Sequence, residues 1–449
     1  MAQKPLLFGT DGIRGVAGKY PLDAATIPRI GRALGAVLGK GSGPARVVVG
    51  RDTRESSEWI TGALTSGLHS AGFEVVDAGV ITTPGVAFLT RTQDFAAGVA
   101  ISASHNPFDD NGIKVFAGTG TKLPEAQELE VERLIESLGP PTEQENAPRR
   151  SPELAEAYVD FLVGLAPSRQ PLSTCRLVMD CAHGAASRIA PLLCERLGIA
   201  AHLLNAQPDG RNINLDSGAL HPQHMAQATR AQNADLGVAL DGDADRAIFS
   251  TAEGRVVDGD HVLYAMAPFL RREDKLKGDA VVGTLMTNLA LELAFARQGI
   301  GLKRTAVGDK YVLEEMLRSG LSLGGEPSGH IIFADVSLAG DGLVTLLEVL
   351  RLLAATGKSL GELVAGLQPF PHLIRNVRVR EKPPLESIPA VASAIADCRR
   401  ELGERGRVVV RYSGTERLAR VMVEGEEAEA VHSHTARIAG AIHAALAPS

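Results

Sequence analysis

The chain alternates short apolar runs with polar turns and amphipathic stretches. Ala45 to Gly50 (ARVVVG) reads as a strand, Arg51 to Arg54 as a polar turn, Ser57 to Ser70 as a helix and Phe73 to Asp77 as the next strand. Ala97 to Ile101 (AGVAI) is a further apolar strand. It runs into Ser102-Ala-Ser-His-Asn-Pro107, a polar turn closed by proline. Strand, helix, strand with polar residues at the strand ends predicts a parallel α/β sheet. Ligands of such sheets sit beyond the carboxyl ends of the strands. Ser104 therefore stands where a nucleophile would be presented, with His105 and Asn106 beside it and Lys114 one loop further on.

The order returns twice. Cys175 to Met179, a helix, Ala200 to Leu204 and Leu236 to Leu240 lead to Asp241-Gly-Asp-Ala-Asp245. Ala280 to Gly283, a helix, Gly301 to Ala306 and Leu321 to Gly324 lead to Gly325-Glu-Pro-Ser-Gly-His330. A period near 100 residues means duplicated domains rather than a solenoid. The last segment differs: a strand at Asn376 to Arg380, a helix at Ile388 to Leu402, strands at Arg407 to Tyr412 and Ala419 to Glu424, and a closing Ala-rich helix. Proline-rich stretches at 139–152 and 370–384 mark boundaries. The expected organisation is three similar α/β domains (1–150, 151–256, 257–370), with mixed, mainly parallel sheets. A smaller α+β domain (371–449) would complete the chain, the four surrounding a central cleft.

Composition narrows the function. The 449 residues carry 53 acidic and 46 basic side chains, net −7, which argues against nucleic acid or an anionic membrane as partner. Cys175, Cys181, Cys194 and Cys398 fit no zinc or redox spacing, as expected of reduced thiols in a cytoplasmic protein. The opening MAQKPLLFGTDGIRG lacks the apolar run of a signal peptide. The apolar helix Leu343 to Ala355 is too short to span a bilayer.

Asp241, Asp243 and Asp245 are three carboxylates at alternate positions, on one side of an extended segment. So close, they repel unless a cation joins them, and hard oxygen ligands suit Mg²⁺ or Ca²⁺. An EF-hand would need Gly and Glu where Arg246 and Ala252 stand. Mg²⁺ keeps few carboxylates and takes a phosphate oxygen, which a phosphorylated serine could supply. Glu326, Ser328 and His330 bring carboxylate, hydroxyl and imidazole onto a glycine-hinged turn suited to a sugar. Arg411, Ser413, Gly414 and Thr415 make an anion nest, which Arg420 on the next strand could join. Gly9 to Gly15 is a glycine-rich loop with one guanidinium, Arg14, and is not a Walker motif. His221-Pro-Gln-His224 offers two imidazoles and no third ligand.

Taken in order, FGTDGIRG at residues 8–15, Ser102 to Phe116, Asp241 to Arg246, Gly325 to His330 and RYSGTERLARVMVEG at 411–425 resemble the α-D-phosphohexomutase superfamily, most closely its bacterial branch acting on glucosamine phosphates. The resemblance spans essentially the whole chain. It implies a phosphorylated Ser104, one Mg²⁺ held by Asp241, Asp243, Asp245 and the serine phosphate, and His105 and Arg246 beside the reacting group. It also implies a sugar loop at Glu326, Ser328 and His330, and a phosphate clamp at Arg411, Ser413 and Thr415. Lys114 or His330 is then the general acid/base, the resemblance favouring Lys114. Ala244, Arg417 and Lys310 depart from the usual pattern without removing a reacting group; the Ala244 methyl group is expected to be tolerated.

The implied reaction interconverts glucosamine 6-phosphate and glucosamine 1-phosphate through a bisphosphorylated sugar, in a cytoplasmic enzyme. The partner is then a small hexosamine phosphate, and a homodimer is compatible with it. Phosphomannomutase or phosphoglucomutase activity on the same machinery is the nearest alternative. A phosphoserine hydrolase and a non-catalytic sugar-phosphate regulator are more distant ones.

Overall fold

The computed structural model describes residues 7–39, 45–139, 147–167, 172–413 and 417–448. Chain contacts divide it into two compact units. One comprises residues 1–286 and 302–364; the other comprises 287–301 and 365–449.

The first unit holds three sheets. The first contains Phe8–Gly9 (β1), Gly12–Val16 (β2), Arg46–Arg51 (β3), Glu74–Val80 (β4), Ala97–Ile101 (β5), Asp110–Ala117 (β6) and Arg149–Arg150 (β7), in spatial order β1-β2-β6-β5-β3-β4-β7. Arg176–Asp180 (β8), Ala200–Leu204 (β9), Leu236–Leu240 (β10), Ala247–Thr251 (β11) and Val256–Val257 (β12) form the second, ordered β12-β11-β10-β8-β9. Ala280–Thr284 (β13), Gly301–Thr305 (β14), Leu323–Gly325 (β15) and Ile331–Phe333 (β16) form the third, ordered β14-β13-β15-β16.

One device recurs in all three sheets. A buried strand pairs in parallel on one side, β5 with β3, β10 with β8 and β15 with β13. It then turns through a polar loop into an antiparallel neighbour, β6, β11 or β16. All five residues of β5 and of β10 are buried, as expected of strands covered on both faces. The loops are 102–109, 241–246 and 326–330, the three stretches that carry the candidate chemistry. Lys114 lies beyond its loop on β6, in register with Ala100. Helices Thr26–Leu38 and Ser57–Ser70 close one face of the first sheet, burying Ile30, Leu34, Ile60, Leu64 and Leu68 in one core with Val47, Val49 and Val99.

The second unit is built on His372–Arg378 (β17), Gly406–Tyr412 (β18) and Leu418–Gly425 (β19), all antiparallel in the order β17-β19-β18. Its first strand starts four residues earlier than the apolar pattern suggests, directly after Pro371. Helices Pro389–Leu402 and Ala428–Leu446 bury Val391, Ile395, Val431, Ile438 and Ile442 in one core with Val421 and Val423. Helix Leu289–Arg297 belongs to the same unit. Asn288 exchanges two hydrogen bonds with the Phe370 backbone, and Glu424 accepts from the Leu289 amide at 3.2 Å.

Candidate active site

Ser104 is buried at the end of β5 with φ +54, in the left-handed region. Its amide donates to Ser102 Oγ at 3.0 Å, and its hydroxyl donates to Asp241 Oδ2 at 2.6 Å. The serine loop of the first sheet thus touches the acidic loop of the second. Gly242 permits the approach: a Cβ there would meet the Ser104 carbonyl oxygen at 2.5 Å.

Asp241, Asp243 and Asp245 each offer an oxygen within 4.8 Å of the others. No second such group of His, Cys, Asp and Glu exists among the described residues. The His221 and His224 pair is not one; His224 Nδ1 instead meets the Asp216 carbonyl at 2.8 Å. Asp243 Oδ1 and Asp245 Oδ1 are buried without a hydrogen-bond partner. Burial, with Asp245 and Asp243 alongside, pushes the Asp241 carboxyl well above the usual carboxylate range. Orphaned carboxylate oxygens and a carboxyl reluctant to ionise are what a divalent cation would cure, so the donor set fits a hard metal ion. Ala244 has φ +59. That backbone conformation favours glycine over a residue with a Cβ, which the sequence could not show.

Lys114 is 98% buried and faces three carboxylates: Asp243 at 2.7 Å, Asp11 at 2.8 Å and Asp245 at 3.6 Å. Burial alone would discharge it, but the three acids outweigh burial and hold the ammonium well above the ordinary lysine range. His330 lies 3.8 Å from Asp245. Burial opposes its charge, yet Asp245, Asp309 and Glu326 push it up to about 9. His105 goes the other way. Burial, then Arg246 and Arg14, lower it to about 4, so a neutral imidazole sits 3.2 Å from Ser104 Oγ.

A cavity of about 410 Å³ is walled by Arg14, His105, Asp245, Arg246, Glu326 and His330. That volume suits a hexose phosphate. Glu326 Oε1 accepts from the Gly308 amide at 3.1 Å, and its backbone bonds to both Gly329 and His330. Ser328 borders an adjoining cavity of about 200 Å³ with His105, Asp241 and Arg246. Lys310 pairs with Glu128 at 3.3 Å.

In the second unit, Arg411 on β18 and Arg420 on β19 are register partners. Like charges directly opposite on one face destabilise a sheet unless an anion lies between them. Ser413 is buried at the end of the same strand. Gly414 and Thr415 lie outside the described residues.

Four domain families match in sequence, all of the phosphoglucomutase/phosphomannomutase description: alpha/beta/alpha domain I at residues 5–141, domain II at 156–254, domain III at 258–370 and the C-terminal domain at 375–441. The phosphoglucosamine mutase of Koribacter versatilis is 51% identical, over 98% of this chain and 97% of its own. That of Solibacter usitatus is 50% identical, over 97% and 98%. The chain belongs to the phosphoglucomutase/phosphomannomutase family. A solved structure of a family protein from Burkholderia thailandensis matches with TM-score 0.79 at 26% identity, over 98% of this chain and 97% of that one.

The candidate site brings in residues that sequence patterns did not reveal. Thr83 donates its hydroxyl to Asp243 Oδ2 at 2.5 Å and its amide to the Asp243 carbonyl at 3.0 Å. Asp11 is a hub, pairing with Arg14, with Lys114 at 2.8 Å and with Lys122 at 2.6 Å. Burial would raise its pKa, but Lys114, Lys122 and Arg14 hold it well below the usual range. The only local signals were Thr82-Thr83-Pro84 at a helix start and an acid inside a glycine-rich loop.

Proposed function

We propose that this chain interconverts glucosamine 6-phosphate and glucosamine 1-phosphate, with Ser104 carrying the phosphoryl group. The observation that carries this is the 2.6 Å contact of Ser104 Oγ with Asp241, beside a cavity that also presents Arg14, Glu326 and His330. Four domains are taken at 1–150, 151–256, 257–370 and 371–449.

In the first half-reaction the bond between phosphorus and Ser104 Oγ breaks, and one to the free sugar hydroxyl forms. The departing serine oxygen takes a proton and the sugar hydroxyl gives one up, an exchange assigned to Lys114 or His330. The bisphosphorylated sugar turns over and returns its other phosphate to Ser104 by the reverse step. Chemistry of this kind is mostly positioning and charge neutralisation. Mg²⁺, held by Asp241, Asp243 and Asp245, supplies charge neutralisation at the transferring oxygens when bound. His330, charged at neutral pH, and Arg246 orient phosphate and sugar oxygens, while neutral His105 adds no cation beside the serine. Arg411, Ser413, Gly414, Thr415 and Arg420 are assigned to the phosphate that is not reacting.

The amino sugar is preferred to glucose for two reasons. The relatives at 50–51% identity carry the name phosphoglucosamine mutase. A buried carboxylate, Glu326, borders the cavity and suits an ammonium group. The reading places the enzyme in the cytoplasm, feeding amino-sugar nucleotide and cell-wall precursor synthesis. The test is a substrate panel with purified protein and Mg²⁺. Highest kcat/KM on glucosamine 6-phosphate is expected; glucose or mannose phosphates turned over faster would shift the assignment to phosphoglucomutase or phosphomannomutase.

A further inference from the structure

The serine loop is gripped from two directions by side chains that touch neither the cavity nor the acidic cluster. From the turn after β3, the Arg54 guanidinium donates to the Ser104 carbonyl at 3.0 Å, to the Asn106 carbonyl at 2.9 Å and to the Pro107 carbonyl. Its side chain is fully buried and is held at Nε by Asp52 at 2.8 Å. From the second sheet's side, Asn214 Nδ2 donates to the same Ser104 and Asn106 carbonyls, at 2.9 and 3.0 Å. Two carbonyls thus take donors from both flanks. They belong to a loop whose serine sits at φ +54, a conformation that persists in a non-glycine residue only when its surroundings enforce it.

We propose that Arg54 and Asn214 are positioning residues for phosphoryl transfer. Together they lock the left-handed turn at Ser104, so that its Oγ, with or without phosphate, points at Asp241. Arg54 fixes the loop to its own sheet. Asn214 ties the loop to the segment beside the acidic loop: Asn214 Nδ2 also lies 2.8 Å from where a Cβ on Gly242 would stand. One amide group that reacts with nothing thus joins the serine loop to a segment packed against Gly242 of the acidic loop. This rests on the mutase reading above, and it assigns roles to residues that the sequence motifs do not single out.

Asn214 itself has φ +60, which aspartate and glycine both tolerate. Asn214→Asp keeps the shape but turns the donor into an acceptor facing two carbonyls. Asn214→Gly removes the amide and suits the backbone. Arg54→Lys leaves one ammonium where a fork served three carbonyls and a carboxylate. The experiment loads phosphate onto dephosphorylated Ser104 from glucose 1,6-bisphosphate, followed by intact mass, alongside steady-state turnover and thermal unfolding. Misplacing a reacting group by about 1 Å costs on the order of a hundred-fold. Loading rate and kcat are therefore expected to fall about ten- to a hundred-fold in both Asn214 variants, with KM within about two-fold and an unfolding midpoint close to wild type. Arg54→Lys should fall at least as far; if it fails to fold, the two Asn214 variants decide. Wild-type loading in Asn214→Gly and Asn214→Asp overturns the proposal, as does a loss of rate that only tracks loss of folded protein. Wild-type protein that loads Ser104 but isomerises no hexosamine phosphate removes the functional reading and leaves this one to be judged on loading alone.

Discussion

Ser104 Oγ and Asp241 Oδ2, 137 residues apart in sequence, share a hydrogen bond of 2.6 Å between two buried side chains. Phosphorylation of Ser104 replaces that hydroxyl with roughly −1.5 to −2 charge against a carboxyl already reluctant to ionise. Metal-free phosphoprotein should therefore unfold at a lower temperature than metal-free dephosphoprotein. Saturating Mg²⁺ should reverse the order. Differential scanning calorimetry of the four states checks this; identical midpoints in all four would place the phosphate away from the acidic cluster.

Asp243→Asn bears on the same cluster from the other side. Sequence alone suggests that removing one of three crowded acids relieves repulsion. The structure argues otherwise, because Asp243 is already engaged by buried Lys114 at 2.7 Å and by Thr83 at 2.5 Å. Metal-free stability should fall, by about 1–3 kcal/mol because Asp11 still holds the lysine, and Mg²⁺-dependent turnover should drop steeply. Chemical unfolding without metal decides the sign; a more stable variant would show that repulsion dominates.

Much of this was legible in the sequence, and the unread part has a physical reason. The strands β3, β5, β8, β10 and β13 are uninterrupted apolar runs, and DGDADR follows β10 directly. The antiparallel partners β6, β11 and β16 were not read as strands. They follow loops of five to eight residues instead of a two-residue hairpin turn, so no turn signature announces them. Arg54, Thr83 and Asn214 act through backbone carbonyls or a distant carboxylate, and no local spacing encodes such partners. The Arg411–Arg420 pair became visible only once β18 and β19 were in register.

That arginine pair predicts opposite effects on stability and binding. Arg411→Ala should raise the stability of the ligand-free protein by a few tenths of a kcal/mol up to about 1 kcal/mol, by removing a like charge opposite Arg420. It should also cost a charge-assisted phosphate contact of roughly 1.5–3 kcal/mol, lowering kcat/KM by about one to two decades, mostly through KM, with bisphosphorylated sugar escaping into solution. Steady-state kinetics with chromatographic detection of the bisphosphate is the measurement. An unchanged KM with no escape would move the clamp to Arg14 or Arg51.

Asp341 gives a pH dependence of stability. It caps helix Gly342–Thr356 through the Leu343 and Val344 amides and accepts from the Tyr158 hydroxyl at 2.7 Å. Burial pushes its carboxyl up to about 6 from 3.8, so the folded state holds the proton more tightly than the unfolded one. Its contribution is then most favourable below about pH 4 and is lost as pH rises through 6. Asp341→Asn keeps an oxygen for the cap and removes the charge. It should stabilise at pH 8, by about 1–3 kcal/mol, and make little difference at pH 4. Equal effects at both pH values would mean that the carboxylate is ionised throughout.

The central claim, that Ser104 passes its phosphoryl group to a hexosamine phosphate, is tested most directly in a single turnover. Protein carrying labelled phosphate on Ser104 is mixed with an equimolar amount of glucosamine 6-phosphate and Mg²⁺, then quenched at intervals. The account predicts that label leaves Ser104 as bisphosphorylated glucosamine appears, and that it ends partly on glucosamine 1-phosphate, with no label released as inorganic phosphate. Label that stays on Ser104 while product forms, or that appears as inorganic phosphate, would contradict it.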